Sequence, residues 1–177
     1  MSQEFDFSSL SLQDALDLAI LIEEDAEERY LEFNRQLGST RKDDAGDFFE
    51  TMAQNEAKHG RELAAQRKTL FAANKSNVSH EMLDEIRDVE APSYEQTRSF
   101  MSYRHALEVA LACEVKAYNF FDLALKSIKD QEVKRLFTLL RAEEVEHKNL
   151  VKKLLDKTSD DLAPEVDPGD VDEPAGL

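Results

Sequence analysis

Four stretches of this chain place apolar residues at alternating steps of three and four, and each is long enough for several helical turns. The first stripe runs Leu12, Leu16, Ala19, Glu23, Ala26, Tyr30, Phe33, Leu37. The second runs Ala45, Phe49, Met52, Glu56, His59, Leu63, Gln66, Leu70. The third runs Phe100, Tyr103, Leu107, Ala110, Glu114, Ala117, Phe121, Ala124, Ile128, and the fourth Val133, Phe137, Leu140, Glu144, His147, Val151, Leu154. Stripes of this kind are the buried faces of helices that pack on one another, so the fold class is all-α. At ~1.5 Å per residue each helix is expected to be about 35–40 Å long.

The connections restrict the topology. A few residues around Gly38 join the first two stripes, and a few around Lys129 join the last two, so each pair is an antiparallel hairpin. Ser11 with Asp14 forms a capping-box-like start, Gly38 a stop, and Asp130 an N-cap. Between the second and third stripes lie 28 residues, from Phe71 to Arg98, enough to travel the length of a bundle. A short helix over His80–Val89 and a break at Pro92 are expected there. An antiparallel four-helix bundle with one long crossover between its second and third helices is the ferritin-like arrangement. The hairpins also repeat each other. Ala15 to Glu23 matches Ala106 to Glu114 at an offset of 91, and Phe49 to His59 matches Phe137 to His147 at an offset of 88.

Composition narrows the function. The formal net charge is −16, which repels phosphate and argues against nucleic acid as a partner. No apolar run approaches the roughly 20 residues that span a bilayer, and the acidic start MSQEFDFSSLSL lacks the features of a signal peptide. The single cysteine, Cys113, excludes an internal disulfide and a CxxC metal site. A cytoplasmic protein without membrane partners is expected. Two regions are read: a bundle over 1–157 and a tail over 158–177. The last 20 residues hold seven acids, no bases and three of the four prolines, and are expected to be a disordered, solubilising tail.

Six residues interrupt the stripes. Glu23, Glu56, Glu114 and Glu144, with His59 and His147, stand where apolar side chains belong. Burying ionised carboxylates without partners costs more than a domain of this size can bear. The lysines and arginines lie off the stripes, so the compensating charge must come from elsewhere, and two divalent metal ions supply it. Each Glu-x-x-His pair lies at i, i+3 and presents both side chains from one helical face. One Glu from each of two helices plus one Glu-x-x-His from each of the other two is the ligand set of di-iron carboxylate bundles. Four carboxylates neutralise two Fe(II) or Mn(II) ions, and oxygen donors with one imidazole per ion suit iron, with manganese as the alternative. By symmetry Glu23 and His59 serve one ion, Glu114 and His147 the other, and Glu56 and Glu144 bridge.

Ile22-Glu23 with Arg29-Tyr30, Glu56-Ala-Lys-His59, the segment around Glu114, and Glu144-Val-Glu-His147 resemble the rubrerythrin-like branch of the ferritin-like superfamily. The resemblance covers residues from about 10 to 157. It implies a non-haem di-iron centre that reacts with dioxygen or hydrogen peroxide, with the same six residues as metal ligands and as the reacting centre. It also implies that Tyr30 hydrogen-bonds a bridging carboxylate. The sequence departs from rubrerythrins proper in two ways. The rubredoxin domain with its paired Cys-x-x-Cys motifs is absent from these residues, so electrons are expected from an unidentified donor. Ala117 stands where the family carries a second glutamate in the third helix. Without that carboxylate the irons are expected to stay on their histidines, as in ferritins, in both redox states.

Glu27, one turn past Glu23, reads first as a solvated helix charge and second as a seventh ligand or iron-entry carboxylate. Tyr118, one turn past Glu114, reads equally as packing and as support behind the ligands. Cys113 reads as inert packing, and His80 and His105 as surface residues. Three functions compete: a ferroxidase or peroxide-scavenging oxidoreductase, an iron-storage or iron-handling protein, and a metal-free structural or regulatory bundle. A homo-oligomer, a dimer, is expected.

Overall fold

A computed structural model describes residues 7–38, 44–78, 86, 89–93 and 101–158. Among them the chain forms a short 3₁₀ turn, Phe7–Ser9, and four long helices: α1 Leu12–Leu37, α2 Ala45–Phe71, α3 Tyr103–Ser127 and α4 Gln131–Lys157. The tail beyond Thr158, His80 and most of the helix expected over His80–Val89 lie outside the described residues; Ile86 is helical.

Side chains set the ends of the helices. The Ser11 hydroxyl accepts from the Asp14 N–H, Asp44 from Asp47, Ser102 from His105, and Asp130 from both Glu132 and Val133. Each satisfies an amide that the first turn leaves without a partner. Gly38 ends α1 with a φ of 68°, a left-handed value that a side chain would strain, and its N–H returns to the Asn34 carbonyl.

Helices α1 and α2 form one hairpin and α3 and α4 the other, and the hairpins pack through α2 against α3 and α1 against α4. Among the described residues the expected stripes are the buried or half-buried faces, with one departure, and Phe100 lies outside the described residues. Leu63 is the last buried residue of α2, while Gln66 and Leu70 are exposed. The end of α2 is fastened by polar contacts instead: Arg67 reaches Asp17 of α1 at 2.7 Å and the carbonyls of Ala72 and Asn74. The core falls into two apolar clusters. One gathers Leu16, Ile22, Phe121, Val133, Phe137 and their neighbours; the other gathers Tyr30, Phe33, Phe49, Met52, Leu107 and Val151. No helix among the described residues is long and apolar enough to cross a membrane.

Candidate metal centre

Between the two apolar clusters, each of the four helices turns a carboxylate inward. Glu23 from α1, Glu56 from α2, Glu114 from α3 and Glu144 from α4 are all buried. The i, i+3 spacing carries His59 and His147 onto the same faces, with 16% of each side chain exposed, so the histidine edge is the solvent-accessible side of the layer. The two imidazoles stack, 5.0 Å between centroids and 12° between planes. His59 Nδ1 lies 3.6 Å from Glu56 and 3.8 Å from Glu23; His147 Nδ1 lies 3.2 Å from Glu114 and 3.9 Å from Glu144. The structure thus brings all six expected residues together.

A fifth carboxylate joins them. Glu90, in the crossover, is 1% exposed, and neither of its oxygens has a hydrogen-bond partner among the described residues. Donor atoms of Glu56, Glu90, Glu114 and His147 all lie within 4.8 Å of one another, as do those of Glu23, Glu56 and His59. Glu56 belongs to both groups, the position expected of a bridge. Glu144 belongs to neither group and approaches the layer through His147 and Glu114.

Electrostatics record the crowding. Burial, then the neighbouring Glu56 carboxylate, pushes the Glu23 carboxyl up to about 10; burial, then Glu114, pushes Glu144 up to about 11. Burial and the other carboxylates hold Glu90 far above the usual range. Burial alone would lower the His147 imidazole, but its hydrogen bond to Glu114 and the charges of Glu114, Glu56 and Glu143 together outweigh this and raise it. At the histidine edge burial raises Glu143, against the opposing influence of His59 and His147. The arginine and lysine contacts resolved near the layer go to peptide carbonyls, an Asp or an aromatic ring, and none reaches these carboxylates. Oxygens of all five glutamates are buried without hydrogen-bond partners among the described residues, so the donor set fits a pair of oxygen-preferring cations.

Residues 14–155 match the rubrerythrin family. The chain belongs to that family. Among solved structures it resembles an uncharacterized conserved protein from Magnetospirillum magnetotacticum MS-1, at 26% identity and a TM-score of 0.66, over 85% of this chain and 97% of that one. No curated protein matches the chain.

One residue departs from what the resemblance implies. Tyr30 is fully buried and stacks on Phe49, but among the described residues its hydroxyl has no hydrogen-bond partner and lies beside the Cys113 thiol rather than on a carboxylate. Tyr118 is half-buried at the rim, where the Lys148 ammonium sits 3.5 Å from its ring centroid; its visible role is packing. Glu27 is half-buried and outside both donor groups, as a solvated helix charge would be. Cys113 is a buried packing residue, its thiol pushed up to about 12 by burial. His105 is partly exposed near Glu108.

Ala117 is buried and supplies no carboxylate, yet Glu90 places one next to Glu114 and His147. The premise that no additional carboxylate is available near the histidines is therefore corrected. Two further features escaped the stripe analysis. Arg29, off the stripe, is buried with 7% exposure because it serves the crossover, and Glu143 faces the histidines one residue before a ligand position. The signal for Glu90 is thin: a single charge between Val89 and Ala91-Pro92, just past the end of the helix expected over His80–Val89.

Proposed function

We propose that this rubrerythrin-family chain is a non-haem di-iron oxidoreductase that oxidises Fe(II) with dioxygen or hydrogen peroxide. The observation that carries the reading is the layer of buried carboxylates with unpartnered oxygens, flanked by two imidazoles on neighbouring faces. Glu23, Glu56, His59, Glu114, Glu144 and His147 would hold the ions, which when bound would supply the electrons that reduce dioxygen or hydrogen peroxide. Manganese fits the same donors less specifically. The chain's own contribution is positional. Phe49, Met52 and Tyr30 on one side and Ile22, Phe121 and Phe137 on the other close the layer against water. Access is left at the histidine edge, where Glu143 can attract cations or carry protons to and from the imidazoles.

The test is anaerobic loading with Fe(II), then rapid mixing with dioxygen or hydrogen peroxide while ferric absorbance is followed. Two irons per chain and oxidation within seconds support the reading; protein that binds no iron, or whose iron oxidises no faster than free Fe(II), overturns it. Sizing of the same sample tests the expected dimer against the many-subunit shell that storage requires.

A further inference from the structure

The crossover connects α2 to α3, and a connection of that kind needs only to span the bundle. Here it does more. Residues 89–92 are all buried, and their backbone is fastened from two helices. The Arg29 guanidinium of α1 donates to the Pro92 carbonyl at 2.6 Å, and the Lys116 ammonium of α3 donates to the Ala91 carbonyl at 2.9 Å. Both contacts fall within two residues of Glu90, so they fix the direction of its side chain. That side chain enters the carboxylate layer, where it meets Glu56, Glu114 and His147 and finds no hydrogen-bond donor for either oxygen. A carboxylate buried without a partner is among the most expensive groups a protein can hold. A bundle that used Glu90 merely as a spacer would be more stable with almost any apolar residue there. Arg29 and Lys116 donate to peptide carbonyls, and Arg29 also faces Asp25, while among the described residues neither is hydrogen-bonded to Glu90.

We propose that Glu90 is a seventh metal ligand, contributed by the crossover to the ion held by Glu114 and His147, so that the two ions of the centre are inequivalent. The inference rests on the metal-centre reading above and goes beyond the six-residue, twofold-symmetric set. The Glu114–His147 side has four convergent donor residues where the Glu23–His59 side has three. The side chain also reaches the centre from outside the four-helix pattern, so it can be altered without touching a helical ligand.

The experiment uses Mn(II), which binds oxygen-rich sites without reacting with dioxygen on the timescale of a titration. Metal-free wild type and Glu90→Gln are titrated calorimetrically, and wild-type crystals soaked in Mn(II) are measured at the manganese edge. Wild type should bind two Mn(II) ions per chain. Glu90→Gln should keep one site near its wild-type affinity and weaken the other about tenfold or more. The anomalous map should show a Glu90 oxygen within bonding distance of the ion on the His147 side. Two unchanged affinities in Glu90→Gln, or a map with Glu90 turned away from both ions, overturns the proposal. If Glu90→Gln fails to fold, the map on wild type decides alone. Wild type that binds no Mn(II) and no Fe(II) removes the metal-centre reading itself, whereas wild type that binds two Mn(II) ions but does not oxidise Fe(II) leaves this inference standing and removes only the proposed activity.

Discussion

The two halves of the centre share one sequence pattern and differ in what surrounds it. On the first half, Glu23 and His59 are followed by Glu27, one turn along α1, and by Gly60. A Cβ at Gly60 would lie 3.4 Å from the Glu23 Cβ, at van der Waals contact, so α1 and α2 pack directly on each other beside the ligands. On the second half the same repeat positions hold Tyr118 and Lys148, which pack on each other as a ring and an ammonium at the rim. The second half also receives Glu90, and the first has no such neighbour in its donor group. Duplication therefore explains where the ligands stand but not how each half is completed. One half is closed by direct packing of α1 on α2. The other is closed by the crossover, which reaches it through Arg29 and Lys116.

The largest effects should separate bridging from terminal donors. Glu56 belongs to both donor groups, so Glu56→Ala is expected to lose both metal ions, as measured by elemental analysis after Fe(II) or Mn(II) loading. His147→Ala should lose one ion and keep the other. Glu144 is the informative case. A symmetric bridge predicts that Glu144→Ala also loses both ions, whereas its position beside Glu114 and His147 predicts loss on that half first. Retention of two tightly bound ions by Glu56→Ala would end the bridging assignment.

A second contrast is between metal-free and loaded protein as pH changes. Glu23 and Glu144 titrate at about 10 and about 11 when folded, far above the unfolded carboxylate value. A raised folded value means that the associated stability is full below the unfolded value and is lost as pH rises towards the folded one. The metal-free protein should therefore melt lower as pH is taken from 5 to 8, by about 3 °C or more per pH unit for each group that stays protonated in the fold. Metal binding displaces those protons, so bound Mn(II) should flatten or reverse the trend. Its stabilisation at 100 times the dissociation constant is about 2.7 kcal/mol for one site. Calorimetric melts at several pH values, with and without Mn(II), read both effects; a metal-free melting temperature that rises over that range contradicts the buried-acid account.

These tests also mark what the sequence could and could not reveal. The four helices and the six residues on their faces were legible because helical periodicity forces every third or fourth side chain to one side, and a charge on that side stands out. The hairpin repeat made the charges mutually supporting. Gln66 and Leu70 continue the same period but are exposed, because period says where a side chain points and not whether a neighbouring helix reaches that far. Glu90 was invisible for the opposite reason. It lies just past the end of the short helix expected in the connection, outside any stripe, and its place is held by Arg29 and Lys116, 61 residues before it and 26 after it. The burial of Arg29, which lies off the stripe, was not legible either, because a buried arginine is recognised only with its acceptor, and a proline carbonyl leaves no mark in the sequence.

The fastening of the crossover gives an intermediate effect. Arg29→Ala leaves the Pro92 carbonyl without its donor in a buried place, at a cost of about 1–3 kcal/mol. If the crossover matters only to the second half, Arg29→Ala and Lys116→Ala should weaken one Mn(II) site and spare the other, which a calorimetric titration resolves. Equal weakening of both sites would mean that the crossover supports the whole bundle rather than one ion.

The smallest expected effect tests the rim of the second half. Lys148 follows the ligand His147 directly, and its ammonium lies over the Tyr118 ring, one turn past Glu114. A partly exposed cation on a tyrosine face contributes about 0.5–1 kcal/mol, so Lys148→Gln should lower the melting temperature by only about 1–4 °C. Its influence on the metal is expected to be smaller still. Burial and the nearby Lys152 charge lower the ammonium, while Glu144 and Glu114 pull it the other way, so the side chain senses the layer only from its edge. Mn(II) affinity of Lys148→Gln should stay within about threefold of wild type on both sites, well inside the tenfold loss taken to mark a group that supports a ligand. A selective tenfold loss on the His147 side would move Tyr118 and Lys148 from packing to ligand support. The second half would then be completed by two devices, the crossover and this rim pair.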